Sequence, residues 1–193
     1  MIRITTGKYK GRNIYKPKGI RPTQSITRKA IFDILGDING LSFLELYAGS
    51  GAVGIEASSR GAKSVTFVEN NSSVFKVLNR NLSFIPSSDY SLIPLDAEKA
   101  VVKFFMGEER FDLIFFDPPY AYSKDSLAKK TLQTLAAYDI LSPAGLIIAQ
   151  YPKKESLPER LGVLTLFKLS TYGNTKVSFY GKDASKGNIS GDI

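Results

Sequence analysis

The sequence FDLIFFDPPY occupies residues 111–120 and joins an apolar run to a stiff, polar loop. Its first six residues are mostly apolar and aromatic, which predicts a buried strand. Neither of the two prolines that follow Asp117 can donate a backbone hydrogen bond to a neighbouring strand. The sequence therefore places Asp117 at the carboxyl end of a strand, which is the edge of an open α/β sheet where ligands bind.

The four residues that end this stretch suit a planar substrate bearing an exocyclic amino group. The Asp117 carboxylate and a proline carbonyl can accept hydrogen bonds from an amine, while the Tyr120 ring can stack on a base. A simpler interpretation is a turn in which Asp117 acts only as a local cap. We favour a binding site because all four residues directly follow a buried strand.

Patterns typical of strands and helices alternate along the chain from Ser42 onward. This alternation predicts an α/β fold with a mainly parallel sheet. The predicted strands cover residues 43–47, 63–68, 90–95, 111–116, 145–151, 161–169 and 175–180. The last two flank a Tyr-Gly-Asn turn and are predicted to form a terminal antiparallel hairpin.

Positive charge is concentrated at the amino terminus. The first 32 residues hold nine of the 26 Lys and Arg residues and no acid, whereas the remainder holds 17 basic and 18 acidic residues. Such segregation indicates a polyanionic partner in preference to a generic solubilising face. A basic hairpin within residues 2–15, a linker and a helix are predicted for this segment.

Cysteine and histidine are both absent from the 193 residues. Their absence excludes disulfides, iron–sulfur clusters, cysteine-based zinc sites and triads built on Ser-His or Cys-His. The chain also has no run of about 18 apolar residues and no apolar leader. We therefore expect a cytoplasmic protein of one domain with a small appendage, and no metal or membrane partner.

Residues 49–54, GSGAVG, fit the G-x-G-x-x-G pattern between a predicted strand and a predicted helix. Glu69, near the end of the next strand, can bind both ribose hydroxyls of an adenosine, and Asp96-Ala97 can meet the adenine edge. These features alone do not separate NAD from S-adenosylmethionine. Glu45 favours S-adenosylmethionine because a carboxylate there would crowd a pyrophosphate but suits the methionyl ammonium. The candidate cofactor-binding residues are Glu45, Tyr47, Ala48, Gly49, Ser50, Gly51, Gly54, Glu69, Asn70, Asp96 and Ala97.

These motifs together resemble class I S-adenosylmethionine-dependent methyltransferases, and Asp-Pro-Pro-Tyr resembles the branch that methylates amino groups. The resemblance narrows to the RsmD family. It is carried by the amino-terminal Gly-Lys-Tyr-Lys-Gly-Arg and Arg-Pro-Thr motifs, by Leu-Tyr-Ala-Gly-Ser-Gly, and by the final Tyr-Gly-Asn-Thr. It implies a Rossmann-like, mainly parallel seven-stranded sheet with a carboxyl-terminal antiparallel hairpin. It also implies methylation of the exocyclic N2 of a guanine in 16S ribosomal RNA.

The resemblance assigns further roles along the chain. Residues 1–40 are expected to be an RNA-binding extension, 41–181 the methyltransferase domain and 182–193 a flexible tail. A monomer acting on an assembling small ribosomal subunit is expected. The implied catalytic residues are Asp117, Pro118, Pro119 and Tyr120, and the implied RNA-binding residues are Arg3, Lys8, Tyr9, Lys10, Arg12, Arg21, Thr23 and Arg28.

Residues 24–29 depart from the family, since QSITRK replaces its usual acid and Arg-Val-Arg-Glu run. This departure concerns RNA docking and not the chemistry. Three rival functions stay open: an adenine-N6 DNA methyltransferase, a protein glutamine methyltransferase and a non-catalytic RNA-binding assembly factor. The short chain leaves little room for a DNA target-recognition domain, glutamine enzymes usually carry Asn in place of Asp117, and intact Asp117 argues against a silent factor.

Overall fold

The computed structural model describes residues 1–20, 23–119 and 126–182. These residues form two compact units, one up to Ala100 and one from Val101. The sequence predictions for Arg21, Tyr120 and residues 183–193 lie outside the described residues. Among the residues described, no helix is both long and apolar enough to span a membrane.

Strands and helices alternate as predicted from Ser42 onward. The strands are β1 (Ile2–Arg3), β2 (Asn13–Ile14), β3 (Ser42–Leu46), β4 (Ser64–Val68), β5 (Tyr90–Ile93), β6 (Phe111–Phe116), β7 (Leu141–Pro152), β8 (Arg160–Leu161), β9 (Leu164–Tyr172) and β10 (Thr175–Lys182). The helices are α1 (Ser25–Leu35), α2 (Ala52–Ser59), α3 (Ser72–Asn81), α4 (Ala97–Met106) and α5 (Leu127–Ala137), with a 3₁₀ turn at Ser87–Asp89.

In the first unit, β5, β4 and β3 are neighbours in that order and run parallel. All five residues of β3 are buried, as expected for a parallel strand that is covered on both faces. Helix α3 begins at an Asn71 cap, whose side-chain oxygen accepts hydrogen bonds from Ser73 N and Val74 N at 3.0 and 3.2 Å. These elements bring the glycine-rich segment to the carboxyl end of β3.

In the second unit, β6 pairs in parallel with β7. Strand β7 also pairs with β10, β10 pairs with β9, and β9 pairs with β8, and these three pairs are antiparallel. The parallel pair followed by a terminal hairpin confirms the predicted order of strands. Within the described residues, the two units hold eight strands beyond the amino-terminal hairpin, one more than the seven predicted. The difference arises because the predicted strand 161–169 is interrupted after Leu161 by Gly162, which has a φ of 59°.

The amino-terminal hairpin is shorter than predicted. Its loop forms hydrogen bonds with α2, and these replace the strand-to-strand hydrogen bonds that a longer hairpin would have. Each strand has two residues, and Lys8 N and Tyr9 N donate to the carbonyl and hydroxyl oxygens of Ser59 at 2.7 and 2.8 Å. Gly7 has a φ of 80°, and a Cβ there would lie 1.7 Å from the Ser59 carbonyl oxygen. Only glycine permits this close approach.

A buried ion pair ties α1 to α2 beneath this hairpin. Arg28 Nε lies 3.5 Å from Glu56 Oε2, and both side chains are 0% exposed. Glu56 also accepts hydrogen bonds from Thr5 N at 2.9 Å and Thr5 Oγ1 at 2.7 Å, while Arg28 donates to the Arg3 carbonyl at 2.7 Å. Burial lowers the pKa of Arg28, and the neighbouring Glu56 charge opposes that shift.

We expect Glu56→Ala to destabilise the chain by about 3–5 kcal/mol, because it leaves the Arg28 charge buried without its partner. Lys29→Ala in the same helix is the matched control. Its ion pair with Asp33 spans 3.7 Å, with side chains 68% and 55% exposed, so its loss should cost no more than about 0.5 kcal/mol. Urea unfolding of both variants measures the difference, and equal midpoints would show that the buried pair does not stabilise the unit.

Candidate functional site

The glycine-rich segment makes a tight turn from β3 into α2. Gly51 has a φ of 75°, and Gly54 packs so closely that a Cβ there would lie 2.5 Å from the Phe67 ring and 2.7 Å from Glu45 Oε2. Gly54 N donates to that oxygen at 2.8 Å, and Glu45 is 3% exposed. One oxygen of Glu45 therefore holds the first turn of α2, and the predicted role toward an ammonium group stays a prediction.

Glu69 follows β4 and binds the same segment from another side. Its Oε2 accepts a hydrogen bond from Gly49 N at 3.0 Å and its Oε1 accepts one from Asn71 N at 2.8 Å. The residue is 8% exposed. A carboxylate oxygen has more than one acceptor position, so these bonds orient both oxygens without saturating them. Glu69 is thus a fixed pair of acceptors beside Gly49, whereas the neighbouring Asn70 is exposed.

Asp96 stands at the start of α4. Its Oδ1 accepts hydrogen bonds from Glu98 N at 3.1 Å and Lys99 N at 3.4 Å, which is the behaviour of a helix cap. Tyr47, with a φ of 57°, donates its hydroxyl hydrogen to Glu98 Oε1 at 3.0 Å. Ala97, Ala48 and Ser50 are all buried. The adenine-contact role of Asp96 and Ala97 stays a prediction.

Asn81, in the last turn of α3, joins the amino-terminal arm to the glycine-rich segment and was missed from the sequence. Its Nδ2 donates to the carbonyls of Tyr15 and Ser50, both at 2.9 Å, and its Oδ1 accepts from Tyr15 N at 2.8 Å. It is 2% exposed. The sequence does contain an indication of this role, because Asn81 is the one polar residue on the helix face that carries Val74 and Leu78.

In the second unit, Asp117 follows directly after β6 and is half-buried. Gln150 Nε2, from β7, donates to Asp117 Oδ2 at 2.5 Å. Pro118 is buried and Pro119 is exposed. The position of Asp117 at the strand end agrees with the sequence prediction. Gln150 was not predicted, although it is the one polar residue within the apolar run of β7 from Leu146 to Tyr151.

The predicted RNA-binding residues divide by exposure. Four of them are exposed: Arg3, Lys8, Lys10 and Arg12. The guanidinium carbon of Arg12 lies 4.7 Å from the centre of the Phe84 ring. The prediction is wrong for Arg28, which is fully buried against Glu56 and cannot contact phosphate.

Two more residues of that set are structural. The Tyr9 ring is 7% exposed and packs edge-on against Phe84 at 5.1 Å between ring centres, so it cannot stack on a base. Thr23 is 8% exposed, and its carbonyl accepts a hydrogen bond from Arg28 at 3.3 Å. Both predictions of RNA contact are corrected by this burial.

The donor set near Gly49 suits S-adenosylmethionine. Its ribose hydroxyls and its ammonium group are hydrogen-bond donors, and Glu69 and Glu45 are acceptors. Gly49 has a φ of 57°, which favours glycine, and a Cβ built there would meet Ile20 Cγ2 at 3.6 Å in ordinary van der Waals contact. The residues present therefore fit the cofactor that the sequence predicted.

Known proteins resemble the chain over nearly its whole length. YlbH of Bacillus subtilis (strain 168), provisionally named an rRNA methyltransferase, is 34% identical over 185 residues, 94% of this chain and 99% of its own. Ribosomal RNA small subunit methyltransferase D of Haemophilus influenzae is 31% identical over 185 residues, 93% of each chain.

A solved Escherichia coli structure, provisionally described as the methyltransferase yhhF, superimposes with a TM-score of 0.81. It is 24% identical and covers 95% of this chain and 98% of its own, so it shows a shared Rossmann-like α/β fold. The sequence profile of the family described as Conserved hypothetical protein 95 matches residues 2–181. The chain therefore belongs to this family, the RsmD family.

Proposed function

We propose that this protein transfers a methyl group from S-adenosylmethionine to the exocyclic N2 of a guanine in 16S ribosomal RNA. The observation that carries the proposal is the half-buried Asp117 carboxylate at the end of β6, oriented by Gln150 at 2.5 Å. The names of the relatives support ribosomal RNA as the substrate class. The Asp-Pro-Pro motif supports an amino group as the acceptor of the methyl group.

Glu69 would hold the cofactor through its ribose hydroxyls, because its two oxygens are already aligned by backbone N–H groups. Glu45 would face the methionyl ammonium, and Asp96 with Ala97 would meet the adenine edge. The remaining contacts would come from Tyr47, Asn70 and the segment 48–54. S-adenosylmethionine, when bound, supplies an electrophilic methyl group on a sulfonium.

Asp117 would activate the guanine amine by holding its hydrogens. The N2 lone pair is delocalised into the ring, which makes N2 a weak nucleophile. Hydrogen bonds from its two N–H groups to Asp117 and to the Pro118 carbonyl would favour a pyramidal nitrogen with a localised lone pair. The carboxylate would also stabilise positive charge as it develops on nitrogen. Fixed orientation supplies much of the remaining rate enhancement. We assign to the Tyr120 ring the role of stacking on the guanine base.

The exposed basic residues of the hairpin would bind the RNA backbone. Arg3, Lys8, Lys10 and Arg12 present their charges to solvent, and Lys and Arg at a surface neutralise phosphates without reading sequence. Residues 1–40 would thus be the RNA-binding part and 41–181 the catalytic part. A monomer acting in the cytoplasm on an assembling small subunit is the setting that we propose.

We expect the wild-type protein to transfer tritium from labelled S-adenosylmethionine to small-subunit RNA, and Asp117→Ala to lower turnover about 10²-fold or more. The loss should fall on turnover because Asp117 acts on the amine. Cofactor affinity, measured by calorimetry, should stay nearly unchanged in the variant.

Nuclease digestion of the labelled RNA should release N2-methylguanosine. Free DNA and ribosomal protein are the parallel substrates. Label in DNA as N6-methyladenine, or in protein, would replace the proposal with one of its rivals. Near-normal turnover by Asp117→Ala would remove the catalytic role from this residue.

Glu69→Ala should weaken S-adenosylmethionine binding by about 1–3 kcal/mol, the typical effect of losing a charged hydrogen-bond partner. Glu109→Ala is the control, since Glu109 is exposed and lies after α4. Calorimetry with S-adenosylmethionine and with NAD measures both variants. Tighter binding of NAD, or unchanged affinity in Glu69→Ala, would contradict the assignment.

RNA affinity should depend on salt through the basic hairpin. If about four or five side chains contact phosphate, log affinity should fall against log salt with a slope of about −3 to −4. Replacing Lys8, Lys10 and Arg12 by Gln should flatten the slope by about 2 and leave S-adenosylmethionine binding unchanged.

The charge-matched control replaces three exposed lysines of the second unit, Lys129, Lys130 and Lys168, by Gln. Both triple variants lose three positive charges, so a difference between them reports position and not net charge. Equal slopes for the hairpin variant and the wild type would mean that the RNA docks elsewhere.

A further inference from the structure

Gln150 is a buried amide in a strand that otherwise packs with apolar residues. It is 5% exposed, and Ile147, Ile148 and Ala149, which precede it in β7, are all 0% exposed. Its Nε2 donates to Asp117 Oδ2 at 2.5 Å. This contact follows from the register of the two parallel strands. Phe116 pairs with Ala149, so Asp117, which follows Phe116, lies beside Gln150, which follows Ala149.

The orientation of the Gln150 amide follows from its neighbour. A carboxylate oxygen accepts hydrogen bonds, so it attracts the amide NH₂ group and repels the amide oxygen. Gln150 Oε1 consequently points away from Asp117. Among the described residues it is buried and has no hydrogen-bond partner.

A buried amide oxygen without a partner lowers the stability of the fold. An apolar side chain of similar length would suit the apolar part of β7 better than Gln150 does. The hydrogen bond to the Asp117 carboxylate offsets this cost, and that contact accounts for glutamine at this position.

We propose that Gln150 is a positioning residue that fixes the Asp117 carboxylate in the orientation that receives the substrate amine. The N–H group of Gln150 keeps Oδ2 in place from a strand of the sheet, whereas Asp117 itself lies beyond the end of β6. A carboxylate can accept about four hydrogen bonds, so this one orients Asp117 without saturating it. This role for Gln150 rests on the proposed methylation of an amino group. It adds to that proposed function a residue that acts through Asp117.

Gln150→Met tests the proposal, because methionine has a similar length and no donor. Turnover on RNA should fall about tenfold or more, since a loosely held catalytic group loses its orientation. The KM for RNA and the dissociation constant of S-adenosylmethionine should stay within about twofold of the wild-type values. The melting temperature should stay nearly unchanged, because removal of the unpaired amide oxygen offsets the lost hydrogen bond.

A second readout does not depend on activity. In carbon-13 NMR, the Asp117 carboxyl group should titrate at higher pH in Gln150→Met than in the wild type, because a hydrogen bond to a carboxylate favours its charged form. Gln150→Glu should raise that midpoint further, since two adjacent carboxyl groups share a proton. Its turnover should be retained while the pair shares a proton, because the protonated Glu side chain can donate to Asp117, and should fall as the pH is raised and that proton is lost. Gln133→Met, at an exposed position of α5, is the matched control and should behave as wild type.

Wild-type turnover and an unchanged Asp117 titration in Gln150→Met would overturn the proposal. A parallel loss of melting temperature, cofactor affinity and turnover would also overturn it, because that pattern marks a purely structural residue. Failure of the wild-type protein to methylate any RNA would refute the proposed function instead, and the NMR titration would still show whether Gln150 holds Asp117.

Discussion

The negative charge of Glu56 inside the first unit is the constraint on which its amino-terminal half depends. A buried carboxylate must be paired and hydrogen-bonded, or it destabilises the fold. Here the partners come from three separate segments: Thr5 from the hairpin, Arg28 from α1, and Arg60, whose Nε lies 3.3 Å away at the end of α2. Satisfying one charge therefore fixes where the hairpin and both helices can lie.

This arrangement changes the meaning of the amino-terminal charge. The segment carries nine basic residues, but Arg28 belongs to the core and helps to hold the exposed ones in place. Its guanidinium donates to the carbonyls of Arg3 and Thr23, so it fixes the backbone on both sides of the linker. Part of the positive charge thus supports the surface that the remainder presents to solvent.

Local patterns predicted the elements well, and contacts distant in sequence were not accessible to them. The apolar run of β6 and the prolines after Asp117 were sufficient to place a strand end there, because both effects act within a few residues. Arg28 was misassigned because charged residues are usually exposed, and its partner Glu56 lies 28 residues away. Asn81 and Gln150 were overlooked for a related reason: a single polar residue in an apolar pattern becomes informative only when its partner is known.

Hydrogen bonds, and not the fit of its outline, hold the Asn81 side chain in place. Its two N–H groups serve two carbonyls, those of Tyr15 and Ser50, and its oxygen receives the Tyr15 N–H. Deamidation to aspartate would preserve the outline of the side chain but put a carboxylate oxygen against both carbonyls. The amino-terminal arm and the glycine-rich segment would then repel the very group that joins them. Deamidation of this one buried amide would thus weaken the junction between the arm and the glycine-rich segment, while the contacts of the arm with Glu56 and Ser59 would stay in place.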